Sequence, residues 1–530
     1  LKLIKGWPFI YWISDAFRGK FKADSLDQIL DNCQGLATTN NNRFLRFWWE
    51  VDIEWTSETV ENRKWYPYVK GGVFKKWHGN NWLMVNYANE GAEIKKEVDR
   101  KYPYLNGNIT YVVKNEDKYF REGITYSASG SKGATFRLLP EGGIFDVGGS
   151  SIFPTSKFSN IYYSLAFLNS KVSAYIVTCL NPTVNKQVGD IRRIPFVIPE
   201  KYETKISTIS IVSVKVNQNN NKTNLVEREF DHRLNTSVLL KYDSLTESVQ
   251  NSLDNEALNH TIVLINEAII NDLIFQVYEL SNHDIQQVLE SEGVSVGEYP
   301  VHPEALDAFK EAIQDSEFTT DELWQKLDEI EQDEKVEEIR ADIEAEFPYL
   351  YKSNYGFEEF CIQNEVNPIN AWYWFRESGI VPAHRAHDIA LEFLADLIRE
   401  VLMEDEDGII PLVRNAGEDI LLDRLEQKMQ EKGFSTAQIS QLDGLLGRSL
   451  NDYLNGHFFK ELSDHLNLFM YLPKTPFIWH LSSGSERGFE CYIVIYKWSR
   501  DKLQSIKSVY IEKCGRALIN RKTDLGDRKD

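Results

Sequence analysis

The feature that most constrains this chain is a change in the spacing of its apolar residues near position 200. Before it, aromatic and β-branched side chains come in short bursts broken by Gly, Asn and Pro. Examples are Phe44-Leu45-Arg46-Phe47-Trp48-Trp49-Glu50-Val51, Trp82-Leu83-Met84-Val85-Asn86-Tyr87 and Gly143-Ile144-Phe145-Asp146-Val147. Bursts of that length between turn formers are strand signals. From about residue 244, Leu, Ile and Val recur at three- and four-residue intervals, the spacing of one helix face. One uniform architecture is therefore excluded. The expectation is an α+β protein: a mixed α/β first part, a largely α-helical C-terminal region and a small terminal β element. At roughly 100–200 residues per domain, 530 residues allow about three or four such bodies.

Several elements stand out within that frame. Ile161 to Leu180 is apolar on nearly every face and stops at Asn181-Pro182, which predicts one buried helix ended by a proline. Residues 201–224 are rich in Ser, Thr and Asn and read as a loop or domain junction. Helices are expected over 387–403, 417–432 and 500–519, with a strand at Phe489-Glu490-Cys491-Tyr492-Ile493-Val494-Ile495-Tyr496. No internal repeat of fixed period is present.

The charge divides at the same place as the apolar pattern. The whole chain carries a formal net charge of −21, but residues 1–200 hold 26 Lys+Arg against 20 Asp+Glu, leaving the remainder strongly acidic. Affinity for nucleic acid comes largely from cations that displace the counterions of phosphate, so the first part can approach DNA and the second is repelled. Residues 301–350 alone hold 17 acidic and 4 basic side chains. Solvated helix faces explain that run most simply, and a surface that repels or imitates DNA is the sharper alternative. Five unpaired-looking cysteines fit a reducing compartment, and no run approaches the roughly 18–20 apolar residues of a membrane span. A cytoplasmic protein without membrane contact is expected. The first residue is Leu1, not Met, which fits a chain beginning within a longer polypeptide.

The sequence carries no catalytic apparatus of its own. Neither a phosphate loop ending in Gly-Lys-Ser/Thr nor a triply glycine-spaced dinucleotide loop occurs, and Gly130-Ser131-Lys132-Gly133 has the wrong order for either. No Gly-x-Ser-x-Gly nucleophile turn is present. His384 and His387 share a helical spacing but lack a third ligand, so no metal site is expected. Glu404-Asp405-Glu406-Asp407-Gly408 lacks the alternating ligands of a calcium loop and reads as a helix end followed by a turn.

Three clusters instead interleave basic, amide and aromatic residues. The first runs from Gln34 through Asn40-Asn41-Asn42-Arg43 to Trp49, the second from Lys70 through Lys75-Lys76-Trp77-His78-Gly79-Asn80 to Asn81, and the third from Arg121 to Ser127-Ala128-Ser129-Gly130-Ser131-Lys132. Amides read adenine edges, Arg reads guanine or pairs with phosphate, and aromatic rings pack beneath such loops or stack on bases. A Gly- and Asn-rich stretch is also the ordinary composition of a turn, so both readings stay open for any single residue.

The blocks Gln34 to Val51, Lys64-Trp65-Tyr66-Pro67-Tyr68, Lys75 to Asn80, Tyr119-Phe120-Arg121-Glu122-Gly123-Ile124-Thr125, Phe145 to Pro154 and Leu180-Asn181-Pro182-Thr183-Val184-Asn185 through Gln187-Val188-Gly189-Asp190-Ile191 to Ile194-Pro195 together resemble the BREX phage-defence adenine-specific DNA methyltransferases of the PglX type. Asp407-Gly408-Ile409-Ile410-Pro411-Leu412 and Pro476-Phe477-Ile478-Trp479-His480 with Ser482-Ser483-Gly484 look like that family's C-terminal region. The resemblance implies a system that methylates the exocyclic amine of adenine from S-adenosylmethionine, marking self DNA. Such enzymes extrude the base and hold it at an Asn-Pro-Pro-Tyr motif. Neither that motif nor the family's glycine-rich cofactor loop is in this chain. What remains resembles the part downstream of catalysis: the end of the catalytic domain at 1–25, a target-recognition domain at 26–200, linker and spacer helices at 201–295, an acidic helical domain at 296–470 and a terminal α/β element at 471–530.

The function so implied is sequence-specific recognition of double-stranded DNA, without a cofactor in this chain and inactive alone. S-adenosylmethionine belongs to the full-length family enzyme. Partners implied are the missing catalytic domain or subunit and other BREX components. Residues expected at DNA are Asn40, Asn42, Arg43, Arg46, Lys75, Lys76, Asn80, Ser129, Lys132, Arg192 and Arg193; no residue is expected to be catalytic. The alternative is a scaffold that docks other defence components through its acidic helices. Three departures from the family pattern bear on this. Thr39 stands where Gly is usual, which should deny that position a positive backbone angle. His78 stands where Tyr is usual, and Lys186, in place of Phe, offers a phosphate contact.

Overall fold

A computed structural model of the chain describes residues 13–51, 64–127, 134–183, 186–293, 384–414, 418–468, 476–484 and 488–527. The acidic run 301–350, Ser129 and Lys132 lie outside the described residues. The protein is α+β, with eleven short strands among the described residues: β1 (Asp31–Cys33), β2 (Leu45–Phe47), β3 (Trp65–Val69), β4 (Leu83–Asn86), β5 (Gly123–Tyr126), β6 (Phe136–Leu139), β7 (Ile144–Phe145), β8 (Ser151–Phe153), β9 (Ile409–Pro411), β10 (Ile478–Ser482) and β11 (Glu490–Val494). The chain forms two compact units. One comprises Leu1–Asn40, Ser57–Asn221 and Leu253–Pro382, and the other Asn41–Thr56, Lys222–Ser252 and Ala383–Asp530.

In the first unit one sheet has the order β1-β8-β5-β6, with every pairing antiparallel. A second arrangement joins β3 to antiparallel β4 and to parallel β7, with Tyr68 opposite Leu83 and Ile144. Both faces of these strands are covered, so their side chains are buried almost continuously rather than alternately. The predicted helix over 161–180 is two helices, Ile161–Asn169 and Lys171–Leu180. Ser170, in extended backbone, ends the first and caps the second by accepting from Ser173 N. A polar cap inside an apolar run is what the hydropathy pattern conceals. Asn169, beside that break, clasps β6 through both atoms of its amide: Nδ2 donates to Phe136 O at 2.9 Å and Oδ1 accepts from Phe136 N at 3.0 Å.

Residues 203–221, expected as loop or junction, are helical from Glu203 to Asn221. Their Ser side chains bond back to carbonyls one turn earlier, as Ser207 and Ser213 do, and Ser210 and Ser213 lie buried. Tertiary burial overrides the weak helix preference of Ser and Asn. The boundary between the two units falls at the end of this helix.

The second unit is built on the helix Arg385–Glu404, matching the expected 387–403, which buries Ile389, Phe393, Leu394, Leu397, Ile398 and Val401. Helices Leu421–Lys432, Thr436–Leu446, Leu450–Gly456 and Phe458–His465 follow, with an antiparallel sheet of order β10-β11-β9. The acidic run at 404–408 is a helix end and turn: Asp405 Oδ1 accepts from Asp407 N and Gly408 N, and Gly408 takes a φ of 73°. Burial pushes the Glu392 carboxyl up, but Arg385 and His465 outweigh it and hold it below the ordinary range. His384 lies 3.5 Å from Asp388, whereas His387 reaches Glu461 at 2.9 Å, so the two histidines face different partners. Among the described residues no group of His, Cys, Asp and Glu is arranged to hold a metal ion, and no helix is long and apolar enough to cross a membrane.

Candidate nucleic-acid interface

The loop from Lys70 to Asn81 is folded inward along most of its length. Trp77, 1% exposed, sits at a φ of 69° and joins the edge of β6 through two backbone bonds, Trp77 N to Phe136 O and Leu138 N to Trp77 O. One carboxylate then fixes two neighbours. Glu267 accepts from Trp77 Nε1 and from Lys76 Nζ, each at 2.8 Å. Asn80 is buried and donates from Nδ2 to Val73 O at 3.0 Å, closing the loop on itself, while His78 and Asn81 are buried and 3.2 Å apart. Buried Arg137 lies beneath and donates to Lys75 O. The tip faces outward with Val73 and Phe74 exposed, and Lys75 donates to Asn221 Oδ1 at 3.0 Å.

The glycines of this region serve close packing. A Cβ at Gly72 would fall 2.8 Å from the Asn80 side chain, and one at Gly149 would fall 2.8 Å from Val69 O. The glycine-dense exit Val147-Gly148-Gly149-Ser150 runs from β7 into β8, strand to strand, with Gly148 N held by Asp146. It opens no helix.

The stretch Gln34–Asn40 is anchored differently. Gly35 passes so close to β7 that a Cβ would lie 1.9 Å from Phe145 O, and Leu36 N donates to that same carbonyl at 2.9 Å. Tyr68, fully buried, holds Leu36 O at 2.7 Å and reaches the Asp146 carboxylate, which also pairs with Lys70 at 2.9 Å. Burial and the adjacent Asp146 push the Tyr68 hydroxyl well up, so it stays a donor. Thr39 does adopt a positive angle, φ 60°, contrary to the expectation from its β-branch. Its hydroxyl oxygen is buried without a hydrogen-bond partner. The surrounding bonds impose the conformation that Gly would take without strain. Asn40, next along, is exposed.

The remaining expected residues divide between the units. Asn42 and Arg43, both exposed, and Arg46 belong to the second unit, on the single helical turn Asn41–Phe44 and on β2. Arg43 lies over the Phe44 ring, and Arg46 Nη1 donates to Asn42 O and Leu45 O. In the first unit, Arg192 is exposed and donates through Nε and Nη2 to Asn32 O, whereas Arg193 pairs with Asp190 at 2.7 Å. Burial raises the Asp190 carboxyl, but bonds from Asn181, Gln187 N and Arg193 bring it below the ordinary range. Lys186 is buried and donates to Asn181 O, and burial lowers its pKa; this ammonium is turned inward rather than toward phosphate. Sequence reasoning missed Glu267 and Arg137, which hold the loop Lys70–Asn81 and are distant in sequence and ordinary in context.

No family model matches the chain. Over 534 aligned residues it is 25% identical to the adenine-specific methyltransferase BrxX of Escherichia coli O9:H4 (strain HS), covering 96% of this chain and 39% of that protein. It is 24% identical over 524 residues to the adenine-specific methyltransferase PglX of Lacticaseibacillus casei (strain Zhang), covering 96% of this chain and 38% of that protein. The similarity is thus to the PglX-type BREX adenine-specific methyltransferases, and the chain spans about two fifths of the length of these relatives.

Proposed function

We propose that this chain is the DNA-recognition portion of a BREX-type adenine-N6 DNA methyltransferase, with methyl transfer from S-adenosylmethionine carried out by sequence outside it. The observation that carries this reading is the continuous similarity to two adenine-specific methyltransferases, covering 96% of this chain but under two fifths of either relative. Supporting it are the excess of Lys+Arg in residues 1–200 and the exposed amide and basic side chains at Asn40, Asn42, Arg43 and Arg192. Arg46 and Lys75 join these as DNA contacts. Lys76, Asn80 and Arg193 are each bonded to a partner within their own unit: Glu267, Val73 O and Asp190. Double-stranded DNA is the proposed partner, together with the catalytic part of the enzyme and other components of the defence system.

Fluorescence anisotropy of the full chain with a mixed-sequence duplex over a range of salt, paired with calorimetry against S-adenosylmethionine, tests the reading. Binding that weakens steeply with salt and no heat from the cofactor are expected. Tight cofactor binding would place part of the catalytic machinery in this chain and overturn the division of labour. Absence of duplex binding at low salt would overturn the recognition role itself.

A further inference from the structure

The two most exposed large hydrophobic side chains among the described residues are Tyr104, at 73%, and Tyr111, at 68%. Both lie on Arg100-Lys101-Tyr102-Pro103-Tyr104-Leu105-Asn106-Gly107-Asn108-Ile109-Thr110-Tyr111-Val112-Val113-Lys114-Asn115, a stretch with three cations and no acid. Each leaves most of a large ring in water, with Tyr104 meeting the Tyr102 ring edge-on at 6.0 Å between centroids. The stretch is also not a mobile excursion. It is tied to Gln34–Asn40 at five points: Lys101 Nζ donates to Thr39 O at 2.8 Å, Ala37 N to Val112 O at 3.1 Å, Lys114 Nζ to Gln34 Oε1 at 2.6 Å and Asn115 Nδ2 to Gln34 O at 2.8 Å, while Leu36 and Val113 form a backbone bridge.

Two of its cations meet no carboxylate among the described residues. Lys101 and Lys114 bond a carbonyl and an amide oxygen, neither of which carries charge, whereas Arg100 is spent on Glu97 at 2.6 Å. The nearest following carboxylate, Glu116, is taken by Lys95 at 2.7 Å. The clamp by Lys101 bears on Thr39, the one residue of the anchored segment held at a strained positive φ. Asn40 follows Thr39 and is exposed.

We propose that residues 100–115 and Gln34–Asn40 form one composite duplex-DNA surface, in which Tyr104 and Tyr111 pack their rings on deoxyribose and base edges while Lys101 and Lys114 face phosphate. This rests on the recognition role proposed above and adds to it residues that the sequence clusters did not contain. Tyrosine suits the position because its ring offers flat apolar area at low entropy cost and its hydroxyl reaches phosphate oxygen. Lysine on the same stretch supplies the counterion-release term.

The test uses the full chain, a fluorescently labelled mixed-sequence duplex and the variants Tyr104→Ala, Tyr111→Ala, Tyr104→Phe, Tyr111→Phe and Lys101→Met. Each alanine variant is expected to bind about fivefold or more weakly at every salt concentration, with the phenylalanine variants retaining most of the affinity. Lys101→Met is expected to lower the slope of log K against log[salt] by about one. Wild-type binding with unchanged affinity in both alanine variants, at unaltered melting temperature, overturns this inference and leaves the recognition role standing. Failure of the wild-type chain to bind duplex overturns the recognition role first. Alanine variants that keep DNA affinity but lose self-association in sedimentation identify a protein-facing surface and overturn the proposal.

Discussion

Two stretches of the first unit, Lys70–Asn81 and Arg100–Asn115, have nearly the same ingredients: three cations, no acid, aromatic rings, Asn and Gly. Their second halves differ. In the first, the tip at Val73 and Phe74 is exposed, but Trp77, His78, Asn80 and Asn81 are buried and Lys76 is held by Glu267. In the second, Tyr104 and Tyr111 stand in solvent, while Lys101, Lys114 and Asn115 side chains and the backbone at Val112 and Val113 carry the anchoring bonds. Composition therefore selects a class of loop but not its orientation. Orientation is decided by distant partners, Glu267 and Phe136 in one case and Gln34 and Thr39 in the other.

The comparison can be broken most forcefully at its buried end. Trp77→Ala removes a fully enclosed ring and both the indole bond to Glu267 and its packing, and a loss of about 3–5 kcal/mol is expected for the first unit in denaturant unfolding. A surface-like loss of a few tenths would mean that the loop is not a structural insert. Gly35→Ala strikes the anchored segment instead. Its Cβ would overlap Phe145 O, so a cost of about 3 kcal/mol is expected, accompanied by faster proteolysis within 34–40. Wild-type stability would show that the segment can leave β7 freely.

Asn80→Ala sharpens the distinction between closing a loop and touching DNA. The lost bond to Val73 O should cost about 1–2 kcal/mol, with no change in duplex affinity at a fixed salt concentration. Weaker duplex binding at full stability would return Asn80 to the interface. Thr39→Gly is the smallest expected change and has the opposite sign. Relief of the positive φ should stabilise the first unit by about 1 kcal/mol, read as a higher melting temperature. Asp190 adds a pH dependence. Its carboxyl is held below the ordinary range, so its contribution is present above that range and is lost as pH falls through the depressed value. Asp190→Asn should remove that acid-side loss.

How much of this was legible in the sequence follows from the same contrast. The helix Arg385–Glu404, the strand around Tyr492 and the turn after Glu404 were readable because local periodicity and capping chemistry define them. The helix Glu203–Asn221 was not, since its Ser- and Asn-rich composition is overruled by burial against other helices. Asn42, Arg43 and Asn80 were all selected by composition; the first two are exposed, and Asn80 is buried with its amide closing a loop. Tyr104 and Tyr111 belong to none of the sequence clusters, because what ties their segment to Gln34–Asn40 is the bonding of Lys101 to Thr39 and of Lys114 to Gln34, residues far apart in sequence.

Hydrogen–deuterium exchange of the full chain with and without duplex DNA tests the central contrast most directly. New protection on DNA addition is expected within 34–40 and 100–115, with none at 77–81, where Trp77, His78, Asn80 and Asn81 are buried in the free protein. Protection appearing at 77–81 while 100–115 stays unchanged would contradict the account.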